Sequence, residues 1–260
     1  MQAAYGEGGG PDPSLRQDVA RLVTDARRDP TRVLLEGVHA LKHAARFGAT
    51  FDLVVTPALA RLTTLLAELA PDVPVPDGTL ELSRELWREL VPHELPSPAL
   101  AVARRPRYDV GDVLAAPGRV VVLDRPRHLG NLGAVVRVAA AADAGGVLVL
   151  GGADPWHPTA VRAAAGLHFA LPVANAADLP DPGATQPRPV VALHPDGDGA
   201  TSTLPTDALL LVGTERGGLS DALLARADRR LRLPMREGVS SLNLATAVAA
   251  ALYGAAPPPG

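Results

Sequence analysis

The sequence predicts an α/β fold in two parts, the second built on a parallel sheet covered on both faces. Three observations predict it. From about residue 119 onward, short Val/Leu-rich runs alternate with segments of helical periodicity, the pattern of successive βα units. Those runs are apolar end to end, as strands buried on both faces are. A Pro/Gly-spaced connection near residues 106–118 divides this half from an earlier stretch with strands and helices of its own.

Taken in order, residues 1–13 are rich in Gly and Pro and read as a disordered extension. A helix is expected from Ser14, with Leu15, Val19, Leu22 and Val23 on one stripe. Val33–Leu35 reads as a strand, 38–47 as a helix, Phe51–Val55 as a strand and Ala58–Leu69 as a helix. Val73–Val75, a helix around Ser83–Leu90 and Ala99–Ala103 complete a small α/β unit over 14–107, with 108–118 as a linker. In the second half, strands are expected near 119–124, 146–151, 189–194, 208–213 and 230–234. Helices should occupy 131–144, 158–166, 218–227 and 241–254, leaving 255–260 as a disordered tail.

Composition removes several classes of function. Zero cysteines exclude disulfides, thiolate metal sites and cysteine catalysis. No apolar run reaches the roughly 18 residues of a membrane span, and no signal-peptide core opens the chain. A cytoplasmic protein is the expectation. The net charge of −3 is not that of a simple nucleic-acid binder, yet distribution outweighs the sum. Lys42 is the single lysine, and the arginines cluster at 104, 105 and 107, at 125 and 127 beside His128, and at 226, 229, 230, 232 and 236. Each cluster reads equally well as ordinary solvated surface. His39 and His43 stand at i and i+4, but no third ligand accompanies them, so no metal site is expected. There is no Gly-x-Ser-x-Gly elbow, no Walker lysine and no Gly-x-Gly-x-x-Gly turn.

Three segments, each at the end of an apolar run, carry the chemistry. In Asn131-Leu132-Gly133-Ala134-Val135-Val136-Arg137, glycine permits close packing, and Asn131 and Arg137 lie six residues apart on the expected helix. Arg137 stands among Val135, Val136, Val138 and Ala139, a costly setting for an unpartnered guanidinium, unless it simply reaches water from the helix surface. In Gly213-Thr214-Glu215-Arg216-Gly217-Gly218-Leu219-Ser220, Gly213 allows a ligand to approach the main chain. Glu215 is a strand-terminal carboxylate of the kind that orders a loop. In Leu233-Pro234-Met235 followed by Gly238-Val239-Ser240-Ser241-Leu242-Asn243-Leu244, Ser240 or Ser241 should cap the terminal helix, with Asn243 in its first turn. Ligands of open parallel sheets sit beyond strand carboxyl ends, so the three segments should converge.

Their order and spacing resemble the three motifs of the SpoU (TrmH) branch of SPOUT methyltransferases, over roughly residues 119–254. The resemblance implies a SPOUT domain with a C-terminal trefoil knot, a homodimer, and transfer of a methyl group from S-adenosylmethionine to a ribose 2′-hydroxyl of RNA. It implies catalytic roles for Arg137, Asn131, Glu215, Ser241 and Asn243, with Asn131 helping to hold Arg137. Cofactor contacts are implied at Gly213, Leu233, Met235 and Leu242. The segment Leu35-Glu36-Gly37-Val38 and its helix are similar to the small RNA-binding domain of many such enzymes, which favours ribosomal over transfer RNA. The alternatives are a tRNA 2′-O-methyltransferase and an RNA-binding module without catalysis. Many relatives carry Asp-Pro just ahead of the Asn-Leu-Gly turn, where this chain reads Arg127-His128-Leu129-Gly130.

Overall fold

The computed structural model describes residues 13–95, 97–180, 188–214, 217–239 and 241–255. The chain divides into two compact units, Met1–Pro106 and Arg107–Gly260.

In the first unit the elements are α1 (Pro13–Ala26), β1 (Arg32–Glu36), α2 (Val38–Arg46), β2 (Phe51–Thr56), α3 (Leu59–Leu69), β3 (Leu80–Glu81), α4 (Arg84–Leu90) and β4 (Leu100–Arg104). The sheet order is β1-β4-β2-β3, with β4 antiparallel to both neighbours and β3 parallel to β2. Val19 and Val23 of α1 and Leu86 of α4 pack with Leu34, Val55 and Val102. Leu41, Leu62 and Leu66 of α2 and α3 are fully buried as well. Val73–Val75 forms no strand: Pro74 removes a ladder donor, and the short strand beside β2 comes later, at Leu80–Glu81. Asp52 accepts from Arg32 and Arg104, each at 2.9 Å, and so ties β1, β2 and β4. Burial pushes the Asp52 carboxyl up, but the two arginines outweigh it and hold it below the usual carboxylate range.

The second unit comprises α5 (Val110–Ala115), β5 (Val120–Asp124), α6 (Leu129–Ala141), β6 (Gly146–Leu150), α7 (Pro158–Ala163), β7 (Val173–Ala176), β8 (Val190–Leu193), β9 (Gly199–Ala200), β10 (Leu209–Val212), α8 (Asp221–Leu224), β11 (Arg229–Arg232) and α9 (Leu244–Gly254). All seven strands are parallel, in the order β7-β6-β5-β10-β8-β11-β9. Strand residues alternate between the two faces. Val121, Leu123, Val147, Val149, Leu210 and Val212 pack against α6, α7 and α9. Val120, Val122, Leu148, Leu150, Leu209 and Leu211 meet Val113 of α5 and Leu223 of α8. The expected linker thus contains a helix, started by a reciprocal cap between Asp109 and Asp112 and anchored by fully buried Val113. Gly133 lets α6 lie directly on α7, since a Cβ there would stand 2.1 Å from the Ala160 carbonyl oxygen.

Two arginines close the amino ends of these strands. Arg119 donates to the carbonyls of Pro205 and Leu204 at 3.0 and 3.2 Å. Arg188 donates to those of Asp207, Leu114 and Ala116 at 2.7, 2.8 and 2.9 Å, and also to Gly118. Burial lowers the pKa of both guanidiniums, and the charge of Asp207 offsets part of that at Arg188.

Candidate active site

The opposite, carboxyl end of the sheet carries a cavity of 240 Å³. Its walls come from three chain segments that leave neighbouring strands. Leu193 ends β8 and His194 follows it, Val212 ends β10 and Gly213 follows it, and Leu233 and Met235 come after β11. Ser241, Leu242 and Leu244, at the entry to α9, complete it. The position follows from topology: β10 lies between β5 and β8, so connections diverge here and leave a crevice beyond the strand ends.

The loop after β10 is closed on itself. Thr214 and Gly218 exchange both main-chain hydrogen bonds, at 3.0 and 3.1 Å, and the Gly217 N–H donates to Thr214 Oγ1 at 3.0 Å. Gly213 is required by this closure. A Cβ on it would stand 2.1 Å from the Gly218 carbonyl carbon and 2.2 Å from the Leu219 nitrogen. The close approach expected from a ligand is therefore made first by the chain's own loop. Glu215 lies outside the described residues.

Asn243 is the cap of α9, accepting from the Ala245 and Thr246 N–H groups at 2.9 and 3.3 Å. The helix starts at Leu244, so the cap is Asn243 rather than Ser241, and Ser240 falls outside the described residues. The spare Nδ2 of Asn243 donates to Asn131 Oδ1 at 3.1 Å, joining the first turn of α6 to the start of α9. Asn131 thus meets Asn243 at the margin of the cavity, since Leu242 and Leu244 on either side of Asn243 line it. Arg137 lies further along α6, by about 9 Å at the usual helical rise, and is exposed, so its guanidinium reaches solvent despite its apolar neighbours in sequence. Gly213, Leu233, Met235, Leu242 and Ser241 all line the one cavity, while Asn131 and Asn243 pair beside it.

Two residues of this region were not singled out from sequence. His194 lines the cavity, and its Nδ1 accepts the Asp196 N–H at 3.2 Å. Asp124, the last residue of β5, is buried and accepts the Ser220 N–H on Oδ2 at 2.7 Å. Arg125 beside it adopts a left-handed backbone, φ 45°, with its guanidinium 3.6 Å from Asp124 Oδ1 and 3.4 Å from Asp178. Among the described residues no group of His, Asp and Glu could hold a metal ion, and no helix is long and apolar enough to cross a membrane.

An open parallel sheet whose glycine-bearing loops close a largely apolar cavity beyond its strand ends defines an α/β domain built to bind a small organic ligand. The family follows from comparison: residues 118–253 match the model of the SpoU rRNA Methylase family, and the chain belongs to it. The 23S rRNA (uridine(2479)-2′-O)-methyltransferase of Streptomyces viridochromogenes is 33% identical over 68% of this chain. The aligned stretch spans 64% of that relative's length. The 23S rRNA (adenosine(1067)-2′-O)-methyltransferase of Streptomyces azureus is 28% identical over 93% of this chain and 92% of its own. Among solved structures, the SpoU methyltransferase AviRb from Streptomyces viridochromogenes, in complex with AdoMet, superposes with a TM-score of 0.71. It is 27% identical and covers 94% of this chain and 97% of its own.

Proposed function

We propose that this protein methylates a ribose 2′-hydroxyl of ribosomal RNA, using S-adenosylmethionine. The observation that carries the reading is the convergence of the segments after β10 and β11 and the entry to α9 on one cavity, with the Asn131–Asn243 pair at its edge. The names of the Streptomyces relatives and the AdoMet complex of the similar structure support it.

The cavity suits this cofactor. Val212, Leu219, Leu233 and Leu244 offer apolar walls for a flat base, and the main chain at Gly213, Leu233, Met235 and Leu242 offers donors and acceptors for the polar rim. When bound, the cofactor supplies a methyl group already activated by a sulfonium centre. What remains for the protein is to place the hydroxyl and manage one proton. Arg137 is assigned that work together with an RNA phosphate, because a guanidinium alone is too weak a base and its planar fork spans two oxygens. Asn131, Ser241 and Asn243 shape the site, and Glu215 fixes the loop. Arg232 and Arg236, exposed on either side of Leu233–Met235, suit RNA phosphates at the cavity mouth.

The same reading includes residues 14–107 as an RNA-binding domain, a homodimer that completes the site, and a cytoplasmic location. It also includes the C-terminal knot, supported by the return of the chain after β11 to lay α9 against α6. Calorimetry with S-adenosylmethionine, followed by mapping of 2′-O-methyl groups on ribosomal and transfer RNA incubated with the protein, tests it. Binding plus a single new methylated nucleotide in ribosomal RNA is expected. No binding at millimolar cofactor, or methylation of transfer RNA alone, would refute it.

A further inference from the structure

Asp124 is a buried acid with no task in the reaction just described. It is 3% exposed and ends β5, the strand beside the central β10. A carboxylate is expensive to bury, and an apolar residue would serve the core of this strand equally well. Its Oδ2 accepts the Ser220 N–H at 2.7 Å, a short charge-assisted bond. Its Oδ1 makes no hydrogen bond among the described residues and faces Arg125 at 3.6 Å. Ser220 is the residue at which the loop after β10 ends and α8 begins. Gly213 thus follows directly on β10, Thr214 and Gly218 hold each other, and Ser220 is held by Asp124. Gly213, Thr214, Gly218 and Leu219 between these points form one wall of the cavity.

We propose that Asp124 is a positioning residue for cofactor binding: it locks the far end of the loop so that the main-chain groups of that wall are set before the ligand arrives. The inference rests on the cofactor reading above for the identity of the ligand, but not for the lock itself. Preorganisation of this kind acts on affinity, because a loop already ordered loses little freedom on binding. Chemistry at saturating cofactor should not change.

Both partners of the bond allow a test. Ser220 has the φ of proline, −66°, so Ser220→Pro deletes the N–H; its ring carbon would collide with Asp124 Oδ2, so it is made only in Asp124→Ala, where that oxygen is gone. Asp124→Leu deletes the acceptor, and Asp124→Asn retains one oxygen able to accept. Asp124→Leu and Asp124→Ala should each raise the cofactor Kd and KM about tenfold, and adding Ser220→Pro to Asp124→Ala should cost little more, because the donor it removes has already lost its partner. Asp124→Asn should recover most of the affinity, and kcat should stay at the parent level throughout. A purely structural residue would lower the melting temperature without this split between KM and kcat.

The lock is also tested without ligand. In the parent protein the Ser220 amide should resist hydrogen exchange far longer than exposed loop amides; Asp124→Leu should speed its exchange, and Asp124→Asn should keep most of the protection. Folded Asp124 variants with parental cofactor affinity, a further large loss on adding Ser220→Pro to Asp124→Ala, or rapid exchange of Ser220 in the parent would each overturn the proposal. A parent that binds no cofactor would refute the functional reading, and the exchange result would then decide alone whether Asp124 locks the loop.

Discussion

The amino and carboxyl ends of the second unit's sheet are built on opposite principles. At the amino ends, Arg119 and Arg188 fill the gaps between connections and satisfy main-chain carbonyls from five residues besides Asp207. At the carboxyl ends, glycine replaces a side chain in the cavity wall, and a cavity is left open. Unpaired buried carbonyls are costly, so the arginines stabilise the fold where no ligand is needed. The other end can then be shaped for binding without also holding the strands together. Stability and function are separable in this sheet by position along its strands.

Gly213→Val should break that separation and have the largest effect, since the loop wall and the packing meet at this residue. Its side chain would collide with the Gly218–Leu219 backbone, which cannot move as a side chain can. Stability should fall by about 3 kcal/mol, the upper range for overpacking, and cofactor binding should vanish. Denaturant unfolding and calorimetry on the same sample measure both. A variant with parental stability that still fails to bind would mean that the glycine serves the ligand alone.

Arg137→Ala should sharpen the separation. Exposed on α6, it should leave stability and cofactor affinity unchanged while methyl transfer drops about 10²-fold, the scale of a lost acid–base group. Arg137→Lys should recover little. Methylation at the parental rate would reduce Arg137 to a solvated surface residue. At the amino end, Arg188→Met should cost about 2 kcal/mol for its lost charged hydrogen bonds, with cofactor affinity untouched. A matching loss of affinity would mean that the two ends are coupled through the sheet.

How much of this was legible in the sequence also divides by position. The central strands β5, β6 and β10 are uninterrupted apolar runs because both of their faces are buried, and that is a property sequence displays. The edge strands β3 and β9 have two residues each, too short for any periodicity, and β7 carries Asn175 and exposed positions that hide it. Helix α5 passed for linker although its Asp109–Asp112 spacing was a readable start signal. The four residues expected to contact cofactor share one cavity because each sits just past a strand end or helix entry, which motif position reveals. Asp124 was not legible. A strand-terminal carboxylate ordering a loop was expected, but at Glu215, and only the lateral pairing of β5 with β10 brings Asp124 under Ser220.

Asn243 presents the smallest and most discriminating test. From sequence, Ser240 or Ser241 was the expected cap and Asn243 lay in the first turn; in the structure Asn243 is itself the cap, and capping accounts for half of what it does. Its Oδ1 accepts from Ala245 and Thr246, while its Nδ2 donates to Asn131. One side chain therefore does a structural task with its oxygen and joins two motifs with its nitrogen. Asn243→Asp keeps the oxygen acceptor, and a negative charge suits a helix amino terminus, so stability should stay within about 0.5 kcal/mol of the parent. The amide donor is gone, and two oxygens then face each other at Asn131 unless that amide turns over. Asn243→Ala loses both functions and should cost about 1 kcal/mol. If the Asn131–Asn243 bond matters to the reaction, Asn243→Ala and Asn131→Ala lose methyl transfer to a similar degree although only the first loses the cap, and Asn243→Asp stays active only by turning the Asn131 amide over to donate. If Asn131→Ala instead methylates at the parental rate, then Asn243 is a helix cap and the catalytic assignment passes to its neighbours.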